Sequence, residues 1–171
     1  MSPTANRGNE RLKVALCPGS FDPVTMGHVD IIGRTCSIFD KVYVTVFWNR
    51  AKKPMFSVAE RLEMLRQSLQ EFPNIVIESY QGLLTEYARE RNIRVVVKGL
   101  RAVSDFEYEF QMAQMNKHLN EELETFFVMA RPEHAYLSSS VVKEVATFGG
   151  DIGSLVPLHV AEKLKQKLKR G

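Results

Sequence analysis

The sequence predicts a single α/β domain with an open sheet of about five parallel strands and helices on both faces. Short β-branched runs alternate with helical patterns along the whole chain, which is the rhythm of a parallel sheet. Start signals precede several of the helical segments. A chain of 171 residues has the length of one domain and can bury a sizeable core.

The predicted strands are short apolar runs bounded by turn residues. Periodicity alone cannot separate a short buried strand from a piece of helix, so the flanking glycine and proline residues decide the assignment. The runs lie at residues 14–16, 42–47, 75–77, 94–97 and 126–129.

Helix starts are predicted by capping signals. Ser57 with Glu60 and Ser104 with Glu107 match the capping box, in which a serine and a glutamate satisfy each other's free backbone N–H groups. Further predicted boundaries are a helix start at residues 138–140, the end of that helix at Gly149 and Gly150, and a last helix opened by Pro157.

Composition excludes several classes of protein. The hydrophobic fraction is 44%, the charged fraction is 25%, and no run approaches the roughly 18 apolar residues of a membrane helix. A net charge of +3 is too small to indicate nucleic-acid binding. Residues 1–11 are polar and read as an extension before a domain at 12–171, and they lack the apolar core of a signal peptide. We therefore expect a cytoplasmic protein without membrane or nucleic-acid partners.

A phosphate-binding layout is predicted where the first strand meets the first helix. The strand ends at Pro18 and Gly19, and apolar residues recur with helical spacing after Gly27. His28 then falls in the first turn of the helix, where free N–H groups and the helix dipole favour an anion.

Cationic and hydroxyl side chains follow four of the five strands. Ligands of open parallel sheets bind beyond the carboxyl ends of the strands, so these residues should converge. Acidic residues are scarce among them, which favours a polyphosphate ligand. The residues are Ser20 and His28 after the first strand, Lys52 and Lys53 after the second, 98–101 after the fourth, and 131–140 after the fifth.

Two common phosphate motifs are missing from the chain. The sequence holds no Gly-x-x-x-x-Gly-Lys-Ser/Thr loop, and no Gly-x-Gly-x-x-Gly follows the first strand. These gaps argue against a P-loop hydrolase and against a dinucleotide-dependent oxidoreductase.

Several blocks resemble a known family. Thr25-Met26-Gly27-His28 resembles the H/T-x-G-H signature of the nucleotidyltransferases, and the Leu-Ser-Ser-Ser of residues 137–140 resembles their second signature. Within that group the chain is similar to the bacterial phosphopantetheine adenylyltransferases. The blocks that carry this similarity are 18–23, 52–54, 98–109 and 138–145, and the resemblance runs from about Lys13 to the C-terminal helix.

The resemblance implies a Rossmann-like fold and a reaction. The family transfers AMP from ATP to 4′-phosphopantetheine, yielding dephospho-coenzyme A and pyrophosphate, with Mg²⁺ and as a homohexamer. The family's functional residues map onto three groups here. They are His28 and Lys52 for catalysis; Ser20, Phe21, His28, Gly99, Leu100, Arg101, Glu109, His134, Ala135, Tyr136, Leu137, Ser138, Ser139 and Ser140 for ATP; and Ser20, Lys52, Leu84 and Lys98 for the acceptor.

The chain departs from the family pattern at three points. Ser20 stands where many relatives have threonine, and Lys98 stands where many have arginine. A lysine lacks the bidentate fork of arginine, which weakens the expected grip on a phosphate at that position. The tryptophan that some members carry within residues 134–140 is absent.

The implied reaction agrees with the residue types. A phosphate monoester has a second pKa near 6, so the nucleophile is already largely dianionic and needs no general base. The remaining demand is for positioning and for stabilisation of negative charge, which cations and helix N-termini supply. Most of these residues also have ordinary interpretations: Lys52 and Lys53 as solvated lysines, Arg101 as a surface ion pair, and residues 138–140 as a helix cap.

Two alternative functions stay open at this stage. A related adenylyl- or cytidylyltransferase with another phosphorylated acceptor would share these motifs. A non-catalytic α/β module that binds ATP would share most of them. The aromatic and methionine residues of 106–119 have helical spacing and are predicted to form core or a subunit interface.

Overall fold

A computed structural model describes residues 12–48 and 53–169 of the chain. Its strands form one five-stranded parallel sheet in the order β3-β2-β1-β4-β5, so the predicted α/β fold is confirmed. The predicted extension at residues 1–11 lies outside the described residues. The elements are β1 (Val14–Gly19), α1 (Met26–Cys36), β2 (Lys41–Phe47), α2 (Val58–Ser68), β3 (Ile75–Tyr80), α3 (Leu84–Glu90), β4 (Val95–Leu100), α4 (Val103–Leu119), β5 (Glu124–Met129), a 3₁₀ turn (Pro132–His134), α5 (Ser139–Thr147) and α6 (Leu158–Lys169).

Two apolar cores cover the two faces of the sheet. Successive side chains of a strand point to opposite faces, so Ala15 and Cys17 pack in the larger core while Leu16 packs in the smaller one. The larger core includes buried residues of α1, α2, α5 and α6, and the smaller core includes Tyr87 and Ala88 of α3. Helices therefore lie on both faces, as the sequence predicts.

Strands β1 and β4 are longer than predicted and separate at one end. Both continue through residues assigned from sequence to loops, ending at Gly19 and Leu100, because β2 and β5 continue to pair with them. Between β1 and β4 themselves, only Ala15 with Val95 and Leu16 with Val96 are in register. The two central strands thus part beyond Leu16, and a cleft opens between their carboxyl ends.

The predicted helix starts are confirmed at α2 and α5 and wrong at α4. Ser57 and Glu60 form the capping box of α2, with backbone to side-chain distances of 2.7 and 3.2 Å. Helix α4 instead begins one residue before Ser104, after an extended Ala102 that makes no side-chain cap. An ion pair between Arg101 and Asp105 spans this helix start.

The remaining boundaries agree with the sequence. Gly149 follows α5 with a φ of 76°, a left-handed conformation that favours glycine, and the Gly150 N–H bonds to the Val145 carbonyl oxygen at 2.9 Å. Pro157 directly precedes α6, and its carbonyl oxygen accepts the first N–H bonds of that helix.

Helix α4 exposes most of its large apolar side chains. These residues are not core, so that interpretation of the stretch is wrong, and a subunit interface stays a prediction. The exposed side chains are those of Phe106, Tyr108, Phe110, Met112, Met115 and Leu119.

Candidate active site

The candidate site is a cleft of about 380 Å³ at the carboxyl ends of β1 and β4. Strand β1 has β2 on one side and β4 on the other. The cleft therefore lies at the point where the strand order reverses. Ligands of open α/β sheets bind at this topological position.

The loop after β1 forms one wall of the cleft in a tight conformation. Phe21 has a φ of 46°, in the left-handed region that is unusual for a non-glycine residue. A Cβ atom added to Gly19 would lie 2.9 Å from the Phe21 ring, so a glycine is required for this ring to fold back over the strand. The Phe21 ring in turn contacts the His28 ring edge to face, with 5.1 Å between the two ring centroids.

His28 is held in one orientation by the start of α1. The backbone N–H of Thr25 donates to His28 Nδ1 at 3.0 Å, and the His28 N–H donates to Thr25 Oγ1 at 3.4 Å. A backbone N–H can only donate, so Nδ1 is the acceptor and the proton of the neutral ring is on Nε2. Nε2 is therefore a hydrogen-bond donor in a ring that lines the cleft.

The surroundings keep His28 neutral. Burial, together with the positive charges of Arg101 and Lys98, lowers the pKa of His28 to about 4. At neutral pH the ring is a fixed, uncharged donor.

The end of β4 and helix α4 form the opposite wall. Lys98 Nζ lies 3.3 Å from Glu109 Oε1, and Arg101 forms a two-point ion pair with Asp105 at 2.9 and 3.1 Å. Arg101 also donates to the Leu137 carbonyl oxygen at 2.6 Å. These bonds use three of the five guanidinium N–H groups, leaving two for a ligand.

The start of α5 closes the cleft between the two walls. Ser138 caps the helix by accepting the Val141 N–H at 3.1 Å, and Ser139 donates to the Pro23 carbonyl oxygen at 2.7 Å. Two of the three serine hydroxyls therefore have partners within the protein. Gly27 faces this helix start, and an added Cβ there would meet only ordinary contacts with His134 and Leu137, so the glycine leaves room beside His28.

The structure brings most of the sequence-predicted site residues together around this cleft. Leu100, Ala135 and Tyr136 are not among its lining residues: Leu100 is buried, and Tyr136 is 63% exposed. Lys52 lies outside the described residues. The predicted residues that line the cleft are Ser20, Phe21, His28, Lys98, Gly99, Arg101, Glu109, His134, Leu137, Ser138, Ser139 and Ser140.

A second, smaller cavity of about 120 Å³ adjoins the cleft. Leu84 lines it, and Lys98 and Glu109 line both cavities. Six further lining residues have no site role predicted from the sequence: Val96, Tyr108, Met112, Ala113, Asn116 and Thr125. Tyr108, Met112 and Asn116 recur every fourth residue along α4, a spacing that places them on one helix face. This spacing is visible in the sequence and could have identified them as one set.

Cys17 lines the cleft but is not a nucleophile at neutral pH. It is buried in β1, and this burial raises the pKa of its thiol to about 12.

Residues 12–48 and 53–169 contain no group of three or more His, Cys, Asp or Glu side chains arranged to hold a metal ion. Within the same described part of the chain, no helix has the length and apolarity needed to cross a membrane.

Comparison with known proteins gives consistent results. The cytidylyltransferase-like family model matches residues 16–145. A phosphopantetheine adenylyltransferase of Caldanaerobacter subterraneus subsp. tengcongensis is 53% identical over 159 residues, covering 93% of this chain and 99% of the relative. A solved structure from Vibrio parahaemolyticus that carries the name nicotinate-nucleotide adenylyltransferase superposes with a TM-score of 0.66 at 18% identity. That superposition covers 90% of this chain and 99% of the other, and it shows the shared fold.

Proposed function

The chain belongs to the phosphopantetheine adenylyltransferases of the cytidylyltransferase-like family, and we propose that its cleft transfers the adenylyl group of ATP to 4′-phosphopantetheine. The products are dephospho-coenzyme A and pyrophosphate. One observation carries the assignment of this chemistry to the cleft: a neutral His28, with its donor nitrogen fixed, lines the same cleft as Lys98, Arg101 and the N-terminus of α5.

In this reaction the acceptor phosphate attacks the α-phosphate of ATP and pyrophosphate leaves. The attacking group is largely dianionic at neutral pH, because its second pKa is near 6. The protein has no proton to remove and must instead bring two anions together and stabilise the charge that builds on the α-phosphate. His28 Nε2–H donates to a non-bridging oxygen of that phosphate, and Ser20 contributes its hydroxyl to both substrates.

ATP occupies the side of the cleft formed by α4 and α5. The two N–H groups of Arg101 that make no bond within the described residues bind the phosphates, and the first N–H groups of α5 face the same anion. Residues 134–140 hold the nucleoside with Gly99, Leu100 and Glu109. Leu100, Ala135 and Tyr136 belong to this set by resemblance to the family alone, since they do not line the cleft.

The acceptor lies across the cleft and continues into the second cavity. Lys98 lines both cavities and marks the junction between the acceptor phosphate and the pantetheine arm. Leu84 contacts the arm, and Lys52 binds the phosphate. Met112 and Asn116 extend this set, since they line the second cavity together with Leu84.

Mg²⁺ enters with ATP in this proposal. The two carboxylates that line the cleft beside α4, Asp105 and Glu109, are each paired with a cation, which fits a metal ion coordinated mainly by the phosphates. When bound, the ion neutralises charge on the leaving pyrophosphate.

A coupled pyrophosphate assay tests the reaction. With ATP and 4′-phosphopantetheine we expect release of one pyrophosphate per dephospho-coenzyme A formed. Nicotinamide mononucleotide as acceptor, and CTP in place of ATP, serve as the comparison substrates. Faster turnover with either would assign the chain to a different reaction, and ATP binding without pyrophosphate release would identify a non-catalytic module.

The uncovered face of α4 supports a homohexamer. Its exposed aromatic and methionine side chains form an apolar surface that the described chain leaves open. Light scattering at micromolar concentration should give a hexamer mass. Phe110→Asp should dissociate it, whereas Phe148→Asp, which changes a phenylalanine that is 85% exposed beyond α5, should not. A monomeric wild-type mass with full activity would contradict the assembly.

The cytoplasm is the proposed location. Fractionation of cells that express the tagged chain tests this directly, and recovery in the membrane pellet would contradict it.

A further inference from the structure

Asp22 is a buried carboxylate next to the cleft that the proposed reaction does not use. It is 6% exposed. Its Oδ1 atom accepts the Phe56 N–H at 2.8 Å, and its Oδ2 atom accepts the Met55 N–H at 2.9 Å and a bond from Lys143 Nζ at 3.0 Å. A single side chain in the β1–α1 loop is thus bonded to the segment before α2 and to α5.

Two other hydrogen bonds anchor the same loop, one from α2 and one from α5. Arg61 of α2 donates to the Ser20 carbonyl oxygen at 2.9 Å. Ser139 of α5 donates to the Pro23 carbonyl oxygen at 2.7 Å. We call Asp22, Arg61, Ser139 and Lys143 the loop clasp.

The clasp brackets the residues that shape the β1 side of the cleft. Ser20 is one of its anchor points, and Phe21, with the left-handed φ of 46°, lies between Ser20 and Asp22. Such a conformation persists in a non-glycine residue only where the surroundings fix it. Phe21 also contacts the His28 ring, so a shift of this loop would be transmitted to the donor nitrogen.

We propose that Asp22 is a positioning residue for adenylyl transfer, which sets where Ser20, Phe21 and His28 stand relative to the reacting phosphate. The proposal rests on the proposed function. Asp22 does not line the cleft and touches no substrate; it acts through the loop whose ends it ties to α5 and to the start of α2.

Two variants break the clasp and a third serves as a matched control. Asp22→Asn keeps the shape but replaces one acceptor oxygen with an amide that faces N–H donors. Lys143→Met removes only the cation. Lys167→Met is the control, because Lys167 also pairs with a carboxylate of another segment, Glu60 at 2.8 Å, in a more exposed contact between α6 and α2 that does not line the cleft.

The measurements are kcat for pyrophosphate release at saturating substrates and the Kd of ATP by calorimetry, at a temperature where circular dichroism shows each variant folded. We expect Asp22→Asn and Lys143→Met to lower kcat roughly tenfold or more, since small misplacement of catalytic groups is costly. The Kd of ATP should change less than about threefold, because α4 and residues 134–140 carry most of its contacts. Lys167→Met should leave kcat within about twofold of the wild type.

Three outcomes would overturn the positioning role. One is a kcat of Asp22→Asn within twofold of wild type; another is an equal loss of kcat and ATP affinity. The third is an equal fall of kcat in Lys167→Met, which would indicate general destabilisation. If Asp22→Asn does not fold, Lys143→Met decides by the same criteria. Failure of the proposed function is a separate result, because it would show in the wild-type assay before any variant is compared.

Discussion

The two walls of the cleft hold their polar groups in different ways. In the β1 wall, residues 17–28, polar groups are bonded to backbone or to buried partners, as His28 is to Thr25 and Asp22 is to Phe56. In the β4 wall, residues 97–109, the cations pair with carboxylates one helical turn apart on α4. Helix α4 also starts without a side-chain cap and exposes its apolar face.

This difference separates catalysis from binding. A donor that is fixed before the substrate arrives needs no reorganisation in the transition state, which is the property expected of the β1 wall. The cations of the β4 wall can share or exchange their carboxylate partners when a polyphosphate enters. We therefore expect changes in the β1 wall to act on kcat and changes in the β4 wall to act on substrate affinity.

The largest effect should come from His28→Asn. Asparagine keeps a donor but not the reach or the fixed geometry of Nε2, so kcat should fall on the order of 10²-fold or more, as for other preorganised donors. The Kd of ATP should change little. Steady-state kinetics with calorimetric titration measures both, and a loss of ATP affinity without a loss of kcat would reverse the roles of the two walls.

The pH profile of the same variant is its control. Since the pKa of His28 is lowered to about 4, the ring does not titrate between pH 5 and 8. An acid-side fall of activity near about pH 6 then belongs to the acceptor phosphate and should persist in His28→Asn. A flat profile in the variant, with chemistry rate-limiting, would identify His28 as the titrating group and contradict a mechanism without a base.

In the β4 wall, Arg101→Met should raise the Kd of ATP by about 10- to 100-fold, the value of a lost charge-assisted contact. Its kcat at saturation should fall less than that of His28→Asn. Arg34→Met is a matched control, because Arg34 also pairs with a carboxylate four residues away, Asp30, and donates to a carbonyl oxygen, that of Met129. Equal losses in both variants would mean that Arg101 acts through stability.

Much of this architecture follows from the sequence because its signals are local. Strand periodicity, the Ser57 capping box and the turn glycines at Gly149 and Gly150 each depend on neighbouring residues, and each is confirmed. The placement of His28 in the first turn of α1 is confirmed for the same reason.

The features that the sequence did not predict depend on partners far along the chain. Strands β1 and β4 extend past their predicted ends because β2 and β5 pair with them. Asp22 gains its partners from residues 33 and 121 positions away. The charge state of His28 could not be predicted from the sequence, because it depends on the burial of the ring and on the charges of Arg101 and Lys98.

The lowered pKa of His28 should also make folding stability fall as the pH is lowered. The pKa of His28 is about 4 in the folded protein and about 6.5 in the unfolded chain, so the unfolded state binds more protons between these values. Stability from the neutral ring is complete above about pH 6.5 and is lost as the pH falls toward 4, by about 2 kcal/mol between pH 8 and pH 5. Urea unfolding at both pH values should show this extra loss in the wild type but not in His28→Asn. Equal losses would mean that the ring is not held neutral.

The smallest effect on ATP binding is predicted for a change at the start of α5, the helix that closes the cleft between the two walls. The Ser138 hydroxyl is engaged in capping α5, as that of Ser57 is in capping α2. Ser138→Ala and Ser57→Ala should each lower the free energy of unfolding by about 1 kcal/mol, because each removes one cap. The backbone N–H groups that face the nucleotide are unchanged by Ser138→Ala, so the Kd of ATP should stay within about threefold of wild type in both variants. A tenfold weaker ATP affinity in Ser138→Ala alone would show that this hydroxyl leaves its cap to bind the phosphates, and α5 would then belong functionally with the exchangeable β4 wall.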